Sequence, residues 1–100
     1  MEAMAKEMAE VRQQLASVPA SVVVANHAMG LYELAAIHLS QQPPRLSEAR
    51  LAIDAFAALL GAIQGRLGDD ETALADALQQ LRLAYVQVQG SAEGAPSPAE

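Results

Sequence analysis

The sequence predicts an all-α protein: a small helical bundle built on an antiparallel helical hairpin, preceded by an apolar helix and an amphipathic N-terminal helix. Hydrophobic residues make up 52% of the 100 residues, and the large ones recur at steps of three and four, the period of a helix. Aromatic residues make up only 3%, while alanine, the strongest helix former, is abundant. Proline and glycine cluster at the points that separate four helical segments.

Composition also limits the classes of function. The net charge is -6 and the isoelectric point is about 4.7, which argues against direct nucleic-acid binding, because that needs clustered cations. The chain has no cysteine, so it has no disulfide and no thiolate metal site. A core this small and rich in alanine favours self-association. We therefore expect a homodimer or another protein partner, no cofactor and no enzymatic activity.

Residues 1–18 form the first predicted segment, an amphipathic helix. Its large apolar residues alternate at steps of four and three, the pattern of a coiled-coil seam, and they are Met4, Met8, Val11, Leu15 and Val18. Pro19 ends the segment, because proline disfavours helical geometry in the residue before it. Two interpretations stay open: the helix docks on the rest of the protein, or it is a mobile arm. The glutamates near the N-terminus do not resemble an export signal, so we expect a cytoplasmic protein.

Residues 20–88 form the predicted helical domain, which opens with an apolar helix from Ala20 to Leu39. Its apolar residues cover most of the helix circumference, which predicts burial on several sides. The length would suffice to cross a bilayer. We expect no membrane span, because Glu33 alone offsets about 2.5 to 3.5 kcal/mol of insertion free energy, and Asn26, His27 and His38 add to that penalty.

The polar residues of this helix are the candidate site. His27 and His38 are separated by about 16 Å along the axis, too far to share a metal ion, and Glu33 is rotated away from both. We therefore expect a polar stripe or a subunit interface made of Asn26, His27, Glu33 and His38. A small-ligand pocket around His27, Tyr32, Glu33 and His38 is the alternative.

The third helix is predicted to start at Ser47, a good N-cap residue, and to end at Gly68, a typical left-handed C-terminal residue. Asp69 then caps a fourth helix. The apolar seams are Ala49, Ile53, Phe56, Leu60, Ile63 and Leu67 on helix three, and Leu74, Leu78, Leu81, Tyr85 and Val88 on helix four. The short connection predicts an antiparallel hairpin.

The hairpin register predicts which residues face each other. Equal rise on both sides of Gly68 brings Ile53 level with Tyr85, and Asp54 level with Arg82. We therefore predict a structural salt bridge between Asp54 and Arg82. After Val88 the sequence has no large apolar residue, so residues 89–100 are predicted to be a disordered tail.

The stretch "LSEARLAIDAFAALLGAIQGRLGDDETALADALQQLRLAYVQV" resembles the bacterial domain-of-unknown-function family 1844. The matching positions are Leu46, Ala49, Arg50, Ile53, Asp54, Leu60, Glu71, Leu78, Leu81, Arg82, Tyr85 and Val86. The chain departs from the family pattern in the turns "IQGRLGDD" and "SQQPP", so functions tied to those loops do not transfer. The resemblance implies a small helical protein without an assigned activity, whose gene can lie beside translation genes.

These observations favour a non-enzymatic helical interaction module that self-associates through its second helix. Two alternatives stay open: a translation-associated accessory protein, which the resemblance suggests, and the small-ligand-binding protein described above.

Overall fold

The computed structural model describes residues 2–94, with side chains described for residues 2–91. Within these residues four helices follow each other: α1 (Glu2–Ser17), α2 (Ala20–Leu39), α3 (Leu46–Ala62) and α4 (Asp70–Gly94). The described residues contain no β-strand. The prediction of a small all-α bundle is confirmed.

Helices α2, α3 and α4 form the body of the protein, and each of the three packs against the other two. The contact between α2 and α3 is the most extensive. The hairpin of α3 and α4 has the predicted seams facing inward, because Ile53, Phe56 and Leu60 of α3 are buried together with Leu74, Leu78 and Leu81 of α4. The apolar periodicity of these two helices therefore identified the core.

Small residues line the contact between α2 and α3. Helix α2 buries Ala25, Ala28, Ala35 and Leu39, and α3 contributes Ala49 and Ala52 to the same core. Alanine side chains let two helix backbones approach closely. The prediction that α2 is buried on several sides is wrong, since its inward face is mainly alanine and most of its large apolar residues are exposed or only partly buried.

One aromatic pair joins α2 to α3 inside the body. Phe56 is completely buried, and the Tyr32 ring meets it edge to face, with ring centroids 6.4 Å apart and an interplanar angle of 76°. Edge-to-face contact places the positive ring edge against the negative ring face. In a chain with one phenylalanine and two tyrosines, this pair is the main aromatic contribution to the core.

The connection between α3 and α4 is longer than predicted, because α3 ends at Ala62 rather than at Gly68. Gly65 and Gly68 both have positive φ, 83° and 71°, a conformation that favours glycine and interrupts a helix. The Glu71 carboxylate accepts the backbone N–H groups of Gly65 and Leu67, so the loop satisfies donors that a continuing helix would have satisfied. Leu67 is nevertheless buried in the core.

The start of α3 also differs from the prediction. The helix begins at Leu46 with Arg45 at the N-cap position, and no side chain caps it. Ser47 therefore lies inside the first turn. The backbone N–H of Arg45 donates to the carbonyl of His38 at 3.0 Å, which ties the start of α3 to the end of α2 and fixes the boundary before Ser47.

Helix α4 continues past Val88 to Gly94. The prediction that residues 89–94 are disordered is therefore wrong, and the rest of the predicted tail lies outside the described residues. Alanine at position 92 and polar residues such as Gln89 are compatible with a helix even without large apolar neighbours. Because residues 89–94 have no hydrophobic seam, apolar periodicity did not predict a helix there, although the helix continues.

Helix α1 stands apart from the body. Within the described residues it contacts none of the other three helices, and none of its residues is buried. The radius of gyration is 18.6 Å, against about 13 Å for a compact chain of this length. Within a single chain, α1 therefore does not dock on the body.

Candidate functional site

Two apolar surfaces are the most prominent features of the exposed structure, and the first lies on α1. We call it the α1 stripe, formed by Met4, Met8, Val11 and Leu15, with Val18 just beyond the helix end. All five side chains are exposed. They share one side of the helix because steps of four and three keep residues on one face. The charged residues of α1 lie around and opposite the stripe, which makes it a narrow apolar surface with polar margins.

The second surface lies on α2, and we call it the α2 outer face. Its exposed large apolar residues are Val22, Met29, Leu34 and Ile37. The helix turns its alanines toward α3 and α4, so the larger side chains point away from the body. Gly30 lies among them, and no atom would come within 4 Å of a Cβ added there. A second backbone therefore has room to approach the middle of this face.

The polar residues of α2 lie in two separate lines rather than one stripe. Asn26 and Glu33 are seven residues apart and share one line, while His27 and His38 are eleven apart and share another. At 100° per residue the two lines are about 120° apart around the helix. Asn26, His27 and Glu33 are exposed and His38 is half-buried. Leu34, Ile37 and Gly30 lie between the two lines, whereas Val22 and Met29 lie on the other side of Asn26 and Glu33, so this polar line crosses the α2 outer face.

The two histidines have different surroundings. Nδ1–H of His27 donates to the carbonyl of Val23 at 2.8 Å, one turn earlier. In His38, Nδ1 is buried and has no hydrogen-bond partner among the described residues. The structure does not bring His27, Tyr32, Glu33 and His38 together into a pocket, because His27 and Glu33 are exposed on different sides of α2 and Tyr32 packs on Phe56.

A groove of about 370 Å³ runs between α3 and α4. It is lined by Arg50, Ile53, Asp54, Arg82, Tyr85, Val86 and Gln89. The predicted register is consistent with this lining, since Asp54 and Arg82 both face the same groove. The predicted salt bridge between them is wrong. Asp54 instead pairs with Arg50, four residues earlier on the same helix, at 3.3 Å.

The pairing of Asp54 with Arg50 has a local cause. Residues four apart on a helix are neighbours, so Arg50 reaches Asp54 without any contribution from α4. The Arg50 guanidinium also lies 5.8 Å from the centre of the Tyr85 ring. Tyr85 first, and then Asp54, raise the pKa of Arg50 above its ordinary value. Arg50 is thus a cation held between an aromatic ring and a carboxylate, and both partners of the ion pair remain largely exposed.

Chemistry of the catalytic or metal-binding kind needs side chains that converge. Among residues 2–94 no three His, Asp or Glu side chains are grouped closely enough to hold a metal ion. The groove between α3 and α4 offers arginines and a tyrosine, which suit recognition of a carboxylate, but Asp54 already occupies one of them.

Helix α2 is long and apolar enough to cross a membrane by length and composition, and only 17% of its most hydrophobic stretch is buried in the body. The core helix of a soluble protein meets the same test, although such a helix is mostly buried. The feature that needs an explanation is therefore the exposure of α2.

Two features of these surfaces were not predicted from the sequence. The position of Arg50 between Asp54 and Tyr85 could have been found, because the predicted register already placed Ile53 level with Tyr85 and the Arg50 to Asp54 spacing of four is visible in the sequence. The outward orientation of the large α2 residues had a weaker signal: Ala28, Ala35 and Leu39 recur at steps of seven and four, as a buried face does.

Comparison of the chain with protein-family models, with curated proteins and with solved structures finds no match. The resemblance to family 1844 therefore stays a prediction based on residues of α3 and α4.

Proposed function

We propose that this protein is a non-enzymatic helical interaction module that forms a homodimer through the α2 outer face. The observation that carries the proposal is the orientation of α2, which exposes Val22, Met29, Leu34 and Ile37 while alanines fill its contact with α3. Soluble monomers rarely expose large contiguous apolar patches. Covering this face removes those side chains from water, at about 25 cal/mol for each Å².

The mixture of apolar and polar residues on the α2 outer face supports a protein partner. Protein interfaces combine apolar contacts with about ten direct hydrogen bonds. Here Val22 and Met29 lie on one side of the line of Asn26 and Glu33, and Leu34 and Ile37 lie on its other side, between that line and His27. The vacant space beside Gly30 allows a facing helix to come close.

A second copy of the chain is favoured over a lipid bilayer as the occupant. Glu33 and Asn26 are both exposed among the apolar residues of the α2 outer face, and burying an acidic group at the middle of a membrane helix costs about 2.5 to 3.5 kcal/mol. A facing protein chain supplies hydrogen-bond partners for such groups, which the hydrocarbon interior of a bilayer lacks. The net charge of -6 also disfavours association with anionic lipid surfaces.

Sedimentation equilibrium of the full chain across the micromolar range tests this proposal. We expect a species of about 21 kDa, twice the 10.5 kDa of one chain. Leu34→Glu replaces an apolar side chain of the α2 outer face by a charged one, and we expect it to weaken the dimer at least tenfold, about 1.4 kcal/mol. The matched control is Leu51→Glu, at an exposed leucine of α3, which should leave association unchanged.

Three results would contradict the proposal. The first is a single-chain mass at all concentrations, and the second is equal effects of Leu34→Glu and Leu51→Glu. The third is co-sedimentation with phosphatidylcholine vesicles that Leu34→Glu abolishes, because that result assigns the α2 outer face to a membrane. Circular dichroism confirms that each variant keeps its helix content.

A further inference from the structure

The α1 stripe remains unexplained by an interface that uses α2 alone. Helix α1 has 16 residues, contacts no other helix in the described chain and buries none of its own residues. Isolated helices shorter than about 12–15 residues are marginal in water, and α1 is barely longer, while most helical stability in proteins comes from packing of an apolar face. The stability of α1 therefore calls for a partner on its stripe.

The spacing of the stripe assigns heptad positions to α1. Met8 and Leu15 occupy a positions, and Met4, Val11 and Val18 occupy d positions. Two charged residues then flank the seam on opposite sides: Glu7 at g and Arg12 at e. Both line a shallow groove along the stripe with Met4, Met8 and Val11. Among the described residues, neither Glu7 nor Arg12 forms an ion pair within the chain.

These two charges distinguish the possible orientations of a helix pair. In a parallel coiled coil, a g residue faces the e residue five positions later on the other helix, so Glu7 faces the partner subunit's Arg12, and the symmetric pair forms as well. In an antiparallel pair, g positions face g positions and e positions face e positions. Glu7 then faces only g residues and Arg12 only e residues, so neither meets an opposite charge. Only the parallel orientation pairs opposite charges.

We propose that α1 forms a parallel, in-register two-stranded coiled coil with α1 of a second copy, oriented by ion pairs between Glu7 and Arg12. This inference rests on the self-association proposed above and names a second segment and an orientation for it. Standard interfaces involve about 20 to 30 residues on each side, more than the 16 residues of α1. The α1 stripe and the α2 outer face are therefore expected to act in the same dimer.

A charge-swap experiment on the full chain tests the ion pairs. Arg12→Glu alone places glutamates opposite each other twice in the dimer, and Glu7→Arg alone does the same with arginines. We expect each variant to weaken the dimer about tenfold at low salt, because two attractive pairs become repulsive. An equimolar mixture of the two variants pairs opposite charges at both sites and should recover the wild-type dissociation constant.

Lys6→Glu and Glu10→Lys are the control variants, because positions f and c point away from the seam. They change the charge of the helix by the same amounts and should leave the dissociation constant unchanged. Equal weakening by the control and seam variants would overturn the proposal, because it would assign the effect to net charge. A mixture of Glu7→Arg and Arg12→Glu that associates no better than either variant alone would also overturn it.

Cysteine cross-linking tests the register independently. The chain has no cysteine, so Leu15→Cys introduces the only thiol. In the parallel, in-register pair the two Cα atoms at position 15 lie within disulfide range, about 4.4 to 6.8 Å, and oxidation should give a covalent dimer. In an antiparallel pair that places Leu15 opposite the other chain's Met4, the two position-15 Cα atoms are about 16 Å apart along the axis. Cross-linking only in a mixture of Met4→Cys with Leu15→Cys would show the antiparallel arrangement.

The outcomes separate the two proposals. A wild-type dimer that Leu34→Glu dissociates, but that forms no Leu15→Cys disulfide and ignores the charge swaps, would overturn the α1 coiled coil and leave the α2 interface standing. A dimer that responds to the charge swaps and cross-links at position 15, but ignores Leu34→Glu, would do the reverse. A chain that is monomeric at all concentrations would overturn both.

Discussion

The carboxylate of Glu71 accepts the backbone N–H of Gly65 at 2.8 Å, six residues earlier in the chain. The N–H of Leu67 donates to the same carboxylate at 3.1 Å. The side chain thus gathers two backbone donors of the loop that joins α3 to α4. Because Gly65 first and then Leu67 hydrogen-bond to the charged form, the pKa of Glu71 is lowered from its ordinary value.

Glu71→Gln should lower stability at neutral pH, because the amide accepts these hydrogen bonds more weakly than a carboxylate. A carboxyl group whose pKa is lower in the folded than in the unfolded state stabilises the fold at pH values above its unfolded-state pKa. This contribution is lost as the pH falls through the folded-state pKa. The difference in unfolding free energy between wild type and Glu71→Gln should therefore shrink from pH 7 to pH 3. Urea unfolding at each pH measures it.

Asp76→Asn is the matched control for this pH dependence, because Asp76 is an exposed carboxylate on the same helix. We expect it to change stability little at either pH. A Glu71→Gln difference that grows on acidification would contradict the assigned role of the carboxylate. All comparisons require one fixed protein concentration, because self-association shifts the apparent stability.

The helical and loop glycines should respond oppositely to alanine. Gly61 lies in α3 with no neighbouring atom within 4 Å of an added Cβ, so Gly61→Ala should stabilise the protein by about 0.5–1 kcal/mol. Gly65 has φ of 83°, where a Cβ is strained, so Gly65→Ala should destabilise it by about 1 kcal/mol. Denaturant midpoints at constant m-value check both signs. Stabilisation by Gly65→Ala would show that the loop does not need the left-handed conformation.

The contact of Tyr32 with Phe56 should dominate the stability of the body. Phe56→Ala removes the fully buried ring and should cost about 3–5 kcal/mol. Tyr32→Leu keeps an apolar side chain but loses the edge-to-face contact, which contributes about 0.5–1.5 kcal/mol. Tyr32→Phe keeps the ring and should be nearly neutral. Thermal unfolding followed by circular dichroism orders the three variants, and a larger loss for Tyr32→Phe than for Tyr32→Leu would contradict this assignment.

His38 is expected to destabilise the protein. Its buried Nδ1 has no hydrogen-bond partner among the described residues, and an unsatisfied buried polar atom costs about 1–3 kcal/mol. His38→Leu should therefore raise the unfolding free energy by about 1 kcal/mol. His27→Leu is the control, since His27 is exposed and its Nδ1–H already donates to Val23. If both variants lowered stability equally, the Nδ1 of His38 would have to be satisfied in solution.

The elements that the sequence predicted well were those with a one-sided apolar pattern. The seams of α3 and α4 predicted both the core and the register, because a helix with one apolar face has only one way to bury it. The α3 boundary was predicted less well: Gly68 is a plausible end, but the competing hydrogen bonds from Gly65 and Leu67 to Glu71 depend on a side chain located beyond the loop.

The surface of α2 could not be predicted from the same rules. Its apolar residues surround the helix, so the pattern does not identify an inward face. The alanines face inward because they allow the closest approach to α3. The partner of Asp54 was also ambiguous. Arg82 has the correct level in the hairpin, but Arg50 is closer along the same helix and formed the ion pair.

The division of α2 into an inner alanine side and an outer side of larger residues separates two kinds of sequence change. Substitutions at Leu34 or Ile37 alter the exposed surface of α2 and leave its packing against α3 and α4 intact. Exposed positions of α2 can therefore vary without each change being compensated in the interior. A library that randomises these positions and keeps Ala28 and Ala35 constant would change the outer surface on an unchanged body.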